Sequence, residues 1–162
     1  MKINIDSQAP NKVVKEALQS RSIKLPGMGR LNIIEAEKKY GNSRLDFFVE
    51  DDLNQKAYIE VKGVTLENDG IASFPDAPTV RGVRHINELI DAQKEGYRAY
   101  IIFVIQMEHM KVFRPNDHMH PEFGDALRTA EKAGVNILAY ECQVTEKTLN
   151  ISRNISVDLK PF

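Results

Sequence analysis

The spacing of apolar residues changes repeatedly along the chain, and each change marks an element. Val13, Val14, Ala17 and Leu18 recur at helical spacing, so residues 11–20 are expected to form an amphipathic helix capped by Asn11. Pro26, Gly27 and Gly29 make residues 21–30 a connector. Residues 31–40 and 44–50 read as two strands around Gly41-Asn42, a two-residue hairpin signal. After a polar loop, residues 57–62 form a third strand. Residues 63–78 are rich in Gly, Pro and Asp and read as one long irregular loop, a feature that is often functional. Val83, Ile86, Leu89 and Ile90 then stripe a helix over residues 79–95, capped by Thr79 and stopped by Gly96. The apolar run Ala99 to Ile105 predicts a strand buried on both faces. A polar loop, a helix over 122–133 stopped by Gly134, and a buried strand over 135–142 follow, and the pattern assigns nothing after Gln143.

Strands alternating with helices imply an α/β domain whose sheet is covered on both faces. The αβββαβ order resembles the core of the restriction-endonuclease-like (PD-(D/E)XK) fold, a mixed β-sheet flanked by helices. The 162 residues suit a single domain spanning 1–162. Cys142 is the only cysteine, which excludes an internal disulfide and a cysteine-based zinc site, and its place in a buried strand makes it a core residue. The first six residues lack the apolar run of a signal peptide, and no segment is long and apolar enough to span a bilayer. These features point to a soluble cytoplasmic protein in a reducing compartment, with no membrane partner.

The net charge of -1 argues against strong nonspecific DNA binding, but the charge is uneven. Residues 1–44 hold nine Lys and Arg against four acids, and acids crowd between Asp46 and Asp69. A basic face beside an acidic pocket suits a nucleic acid held near a metal ion; a solvated surface reads the same way.

Candidate chemistry gathers at the hairpin. Alternation places Glu60 and Lys62 on one face of the third strand, with Ile59 and Val61 on the other. Asp46 lies on the neighbouring strand. If Gly41-Asn42 is the tight turn, Glu37 falls opposite Asp46, and two facing carboxylates repel unless a cation joins them. Glu16 on the first helix is a further acid. Mg²⁺ takes one or two carboxylates and keeps waters, which Asp46 and Glu60 can supply. Lys62 can then orient an attacking water or stabilise developing negative charge. A wet strand face also carries Glu and Lys at alternate positions, so spacing alone leaves both readings open.

Ser43-Arg44-Leu45-Asp46-Phe47, Tyr58-Ile59-Glu60-Val61-Lys62 and Val64-Thr65-Leu66 resemble the sugar fermentation stimulation protein A family. So do Phe74-Pro75-Asp76-Ala77 with Thr79, Arg81-Gly82, His85 and Glu88-Leu89, and also Pro10-Asn11, Gly134-Val135 and Ile137-Leu138-Ala139-Tyr140. The resemblance implies a DNA-binding protein with a nuclease-like domain. Asp46, Glu60 and Lys62 would be its catalytic set, Asp46, Glu60, Glu37 and Glu16 its ligands for Mg²⁺ or Mn²⁺, and DNA its partner. It implies a metal-dependent deoxyribonuclease or, alternatively, a noncatalytic DNA-binding regulator of sugar (maltose) metabolism genes. It also implies an N-terminal OB-fold domain, and this chain begins after that region. Leu45 stands where the wider superfamily often has Pro, and Val80 where an acid is common in the family.

Arg44 in the hairpin and Arg81, Arg84 and His85 early in the second helix are the candidate nucleic-acid contacts, since arginines and helix N-termini suit phosphate oxygens. A solvated first turn explains the helix residues equally well until the resemblance is considered. Asp76 reads as a loop-stiffening residue, and His109, His118 and His120 as polar-loop residues rather than a zinc set. The sequence also allows a homodimer.

Overall fold

In the computed structural model, residues 8–146 and 148–161 are described. Residues 1–6, read above for the lack of a leader, lie outside them. Twelve elements follow one another: α1 (Ala9–Ser20), β1 (Leu31–Tyr40), β2 (Ser43–Asp51), β3 (Lys56–Val64), β4 (Leu66–Asn68), β5 (Ile71–Phe74), α2 (Val80–Lys94), β6 (Arg98–Ile105), β7 (Val112–Pro115), α3 (Pro121–Lys132), β8 (Asn136–Val144) and β9 (Leu149–Val157). The strands form one mixed sheet in the order β1-β2-β3-β6-β8-β9-β7-β5-β4. Its centre is the parallel trio β3, β6 and β8.

The β6 side chains show why the sheet needs helices on both faces. Ile101, Phe103 and Ile105 pack with Ile86 and Leu89 of α2 and Phe123 and Leu127 of α3. Tyr100, Ile102 and Val104 pack on the other face with Val13, Val14, Ala17 and Leu18 of α1. Burying such a side chain contributes about 1.5–3 kcal/mol, so β6 and its neighbour β3 form a stiff spine.

Several expectations need correction. α1 begins at Ala9 with Gln8 as its N-cap, so Asn11 lies inside the helix and is free for another role. The stretch 63–78 is not a loop, because β4 and β5 pair as a hairpin across Asp69-Gly70, both at positive φ (52° and 82°). That is the conformation a tight two-residue turn demands. β7 occupies part of the polar loop before α3, and β9 forms from the unassigned tail, pairing with both β8 and β7. Thr79 caps α2 as expected, its hydroxyl accepting from the Gly82 N–H at 3.0 Å.

Asp51 ends β2 and holds the connector in place. Its carboxylate is buried and accepts from the backbone N–H groups of Gly29, Leu53 and Gln55 at 2.7, 3.0 and 2.8 Å. Burial raises its pKa, but these hydrogen bonds outweigh burial and hold it below the usual carboxylate range. A depressed carboxyl contributes stability above its unfolded pKa of about 4 and loses it as pH falls through the folded value. Asp51→Ala is therefore expected to lower the thermal midpoint at neutral pH, and the deficit should narrow in acid. Equal midpoints for variant and parent at neutral pH would contradict this.

Candidate functional site

The β2–β3 ladder runs from Glu50↔Lys56 to Phe47↔Ile59 and then stops. The next rung would join Asp46 to Glu60. Side chains replace it: the Asp46 N–H donates to Glu60 Oε1 at 3.2 Å, and the Val61 N–H donates to Asp46 Oδ2 at 2.7 Å. β2 also turns over here. Leu45 lies in the core beneath α2, whereas Phe47, two residues on, lies in the core beneath α1. Simple alternation would put both on one side. Across the hairpin, the rungs Lys38↔Leu45 and Ala36↔Phe47 flank Glu37, which sits in the left-handed region at φ 56°. The expected register is present on either side of Glu37.

β3 places Glu60 and Lys62 toward α2, as alternation requires. Glu60 is 2% exposed. Its Oε2 lies 3.1 Å from Lys62 Nζ and 2.5 Å from His85 Nδ1. A carboxylate can only accept, so that histidine nitrogen carries the hydrogen and cannot also accept from Lys62, 3.5 Å away. Lys62 therefore keeps two of its three N–H donors free of Glu60. On the other side of the split, Asn11 Nδ2 of α1 donates to Asp46 Oδ1 at 3.0 Å.

The two carboxylates are unlike. Burial raises Glu60, but the His85 hydrogen bond and the charges of Lys62 and His85 outweigh it and bring its pKa below the ordinary value. Asp46 is pushed up to about 6, by burial first and then by the charge of Glu60, despite the Val61 and Asn11 hydrogen bonds. An acid held near neutrality beside a second carboxylate is the electrostatic setting a divalent cation relieves. Each carboxylate oxygen has two lone pairs, so Asp46 and Glu60 can bind an ion and keep their present donors. The residues thus fit Mg²⁺ or Mn²⁺, which need one or two carboxylates.

Not every expected residue joins them. Glu16 and Glu37 line a cavity of about 790 Å³ beside Asn11, Lys12 and Phe47. Among the described residues, no three His, Cys, Asp or Glu side chains converge tightly enough to hold an ion. That cavity adjoins the pair through Asn11, which lines it and donates to Asp46. His85 needs correction as a surface phosphate contact. It is 3% exposed and belongs to the buried stripe of α2 with Ile86 and Leu89. Its proximity to those two residues in sequence was the available signal. Asn11, read as a cap, was missed as a partner of Asp46; a polar residue beside the buried Pro10 and Val14 was the clue. Arg44 and Arg81 are exposed, as is Arg84, whose Nε stands 4.0 Å from Glu88. His120 joins the starts of α2 and α3, accepting from the Thr79 N–H at 3.1 Å.

Comparison with known proteins gives a consistent picture. A family model described as the sugar fermentation stimulation protein RE domain matches residues 8–148. Sugar fermentation stimulation protein homologs from Clostridium acetobutylicum and Clostridium kluyveri are 49% and 52% identical over 157 residues, covering 97% of this chain and 67% of each relative. The structure of Pyrococcus furiosus SfsA in complex with Ca²⁺ is similar with a TM-score of 0.87 and 30% identity, over 95% of this chain and 66% of that one. The chain thus spans about two thirds of the length of these relatives. Its architecture is the restriction-endonuclease-like α/β fold that the element order led us to expect.

Proposed function

The chain belongs to the sugar fermentation stimulation protein family, and we propose that it is a divalent-metal-dependent deoxyribonuclease working at Asp46, Glu60 and Lys62. The observation that carries this reading is the broken rung. Two strands separate where two acids meet, and backbone N–H groups fix both carboxylates in place. A merely wet strand face would leave Glu60 in solvent, yet it is buried and held by His85. The Ca²⁺ in the Pyrococcus relative supports a divalent ion, and Asp46 and Glu60 would hold Mg²⁺ or Mn²⁺ here. When bound, such an ion activates water and neutralises charge on phosphoryl oxygens. Lys62 is tethered to Glu60, which orients its free N–H groups toward the attacking water or the phosphoryl oxygens. Asn11 steadies Asp46, and His85 keeps Glu60 ionised and immobile. The exposed Arg44, Arg81 and Arg84 supply phosphate contacts along the strand.

Incubation with plasmid, single-stranded and branched DNA in Mg²⁺ or Mn²⁺ tests the proposal. Cleavage should appear with the parent and vanish in Asp46→Ala and Lys62→Ala. Cleavage that persists in both variants would overturn it. A second reading is a DNA-binding regulator without turnover, for which the exposed Arg81 and Arg84 are the phosphate contacts. It predicts salt-dependent binding that Arg81→Ala and Arg84→Ala weaken and Lys62→Ala leaves nearly unchanged.

A further inference from the structure

The outer end of the β1–β2 hairpin carries an uncompensated charge pair. Lys39 and Arg44 are direct cross-strand partners, one rung inside the closing Tyr40↔Ser43 pair. Like charges placed directly opposite destabilise a ladder. Nearby cations have acids: Lys38 meets Glu35 at 2.9 Å, and Arg84 has Glu88. Lys39 and Arg44 are both exposed and make no ion pair among the described residues. β1 is the terminal strand of the sheet, so no further strand shields them.

Their direction follows from their neighbours. Leu45 packs in the core beneath α2, and Tyr40 packs edge-on against Tyr58 and Tyr97. Alternation then sends Lys39 and Arg44 out of the opposite face, the side from which Asn11 reaches Asp46. Arg44 precedes Asp46 by two residues, about 6.6 Å along an extended strand. That separation suits a phosphate neighbouring the one held at Asp46 and Glu60.

We propose that Lys39 and Arg44 together grip one DNA backbone phosphate, next along the strand to the phosphate at Asp46 and Glu60. This rests on the DNA reading above and assigns the hairpin its part in it. An anion between the two cations turns their repulsion into charge-assisted hydrogen bonds, the guanidinium offering a fork and the ammonium a point charge. Phosphates are the same at every sequence, so the pair fixes register and reads no base.

The test is fluorescence anisotropy with labelled DNA over a salt series, all proteins carrying Lys62→Met to suppress turnover. Lys39→Gln and Arg44→Gln should each weaken binding on the order of fivefold, equally across sequences, and the double variant should lower the salt slope by about one. The double variant should lose less than the product of the single losses, because both residues serve one phosphate. Thermal midpoints of the free variants should not fall, since a repulsion has been removed. Affinities within twofold of the parent with unchanged slopes, while Arg81→Gln weakens binding, would overturn the proposal and spare the DNA reading. A fully multiplicative double loss would overturn the shared grip. No DNA binding by the parent at low salt would overturn the DNA reading and this inference with it.

Discussion

Lys62→Met is expected to slow Mn²⁺-dependent DNA cleavage by about 10²–10³-fold, roughly 3–4 kcal/mol of lost transition-state stabilisation. The reason is positional. Lys62 Nζ stands 3.1 Å from Glu60 Oε2, and only 14% of its side chain is exposed. Its charge acts in a partly dry pocket, where a donor aimed at developing negative charge is worth far more than in water. The loss should fall on kcat more than on KM, because the phosphate contacts that bind ground-state DNA remain. Lys62→Arg should rescue little, since a planar fork cannot occupy the position of an ammonium already tethered to Glu60. Folding should survive, because the His85 Nδ1–H still donates to Glu60. A Lys62→Met protein that is folded and cleaves at the parent's rate would remove Lys62 from the mechanism.

The second large effect concerns stability. Asp46 has its carboxyl pushed up to about 6, by burial and by the neighbouring charge of Glu60. A raised carboxyl costs the fold nothing below its unfolded pKa of about 4, and its full cost is present once the pH passes the folded value. With no cation present, ionised Asp46 should cost about 2–3 kcal/mol at pH 7.5. Asp46→Asn removes that cost and can still accept from the Val61 N–H. The variant should then melt several degrees above the parent at pH 7.5, and the gap should close near pH 4. Adding Mn²⁺ should reverse the order. A ligand at about one hundred times its Kd stabilises by about 2.7 kcal/mol, a gain for the parent that Asp46→Asn should largely lack. Differential scanning fluorimetry with and without Mn²⁺, at both pH values, reads all four states. A parent whose midpoint ignores Mn²⁺ at pH 7.5 would contradict this account of the pair.

Much of this site was legible because it rests on local rules. Period-two alternation placed Glu60 and Lys62 together, and Gly41-Asn42 fixed the register that brings Glu37 to the level of Asp46. What escaped was the turnover of β2 between Leu45 and Phe47. It coincides with a left-handed Glu37 in the opposite strand, a backbone conformation that no local pattern announces. His85 was misplaced for a different reason. The two readings of a polar residue near a helix start, surface phosphate contact and buried partner, differ only by what the neighbouring strand presents, and β3 presents Glu60. The short strands β4, β5 and β7 span three or four residues, too few for an alternation to register. The Asp69-Gly70 turn was nonetheless written in the sequence. β9 alternates apolar Leu149, Ile151, Ile155 and Val157 with polar residues, so its strand signal was present in the sequence, and it pairs with the edges of β8 and β7.

The central claim is that Asp46 and Glu60 share one divalent ion. A crystal of this protein soaked in Mn²⁺, with data collected for anomalous scattering from manganese, addresses it directly. The account predicts a single strong anomalous peak within coordination distance of carboxylate oxygens of both Asp46 and Glu60, absent from a crystal of Asp46→Asn. Manganese bound elsewhere, with Asp46 and Glu60 still exchanging only the hydrogen bonds described above, would contradict it.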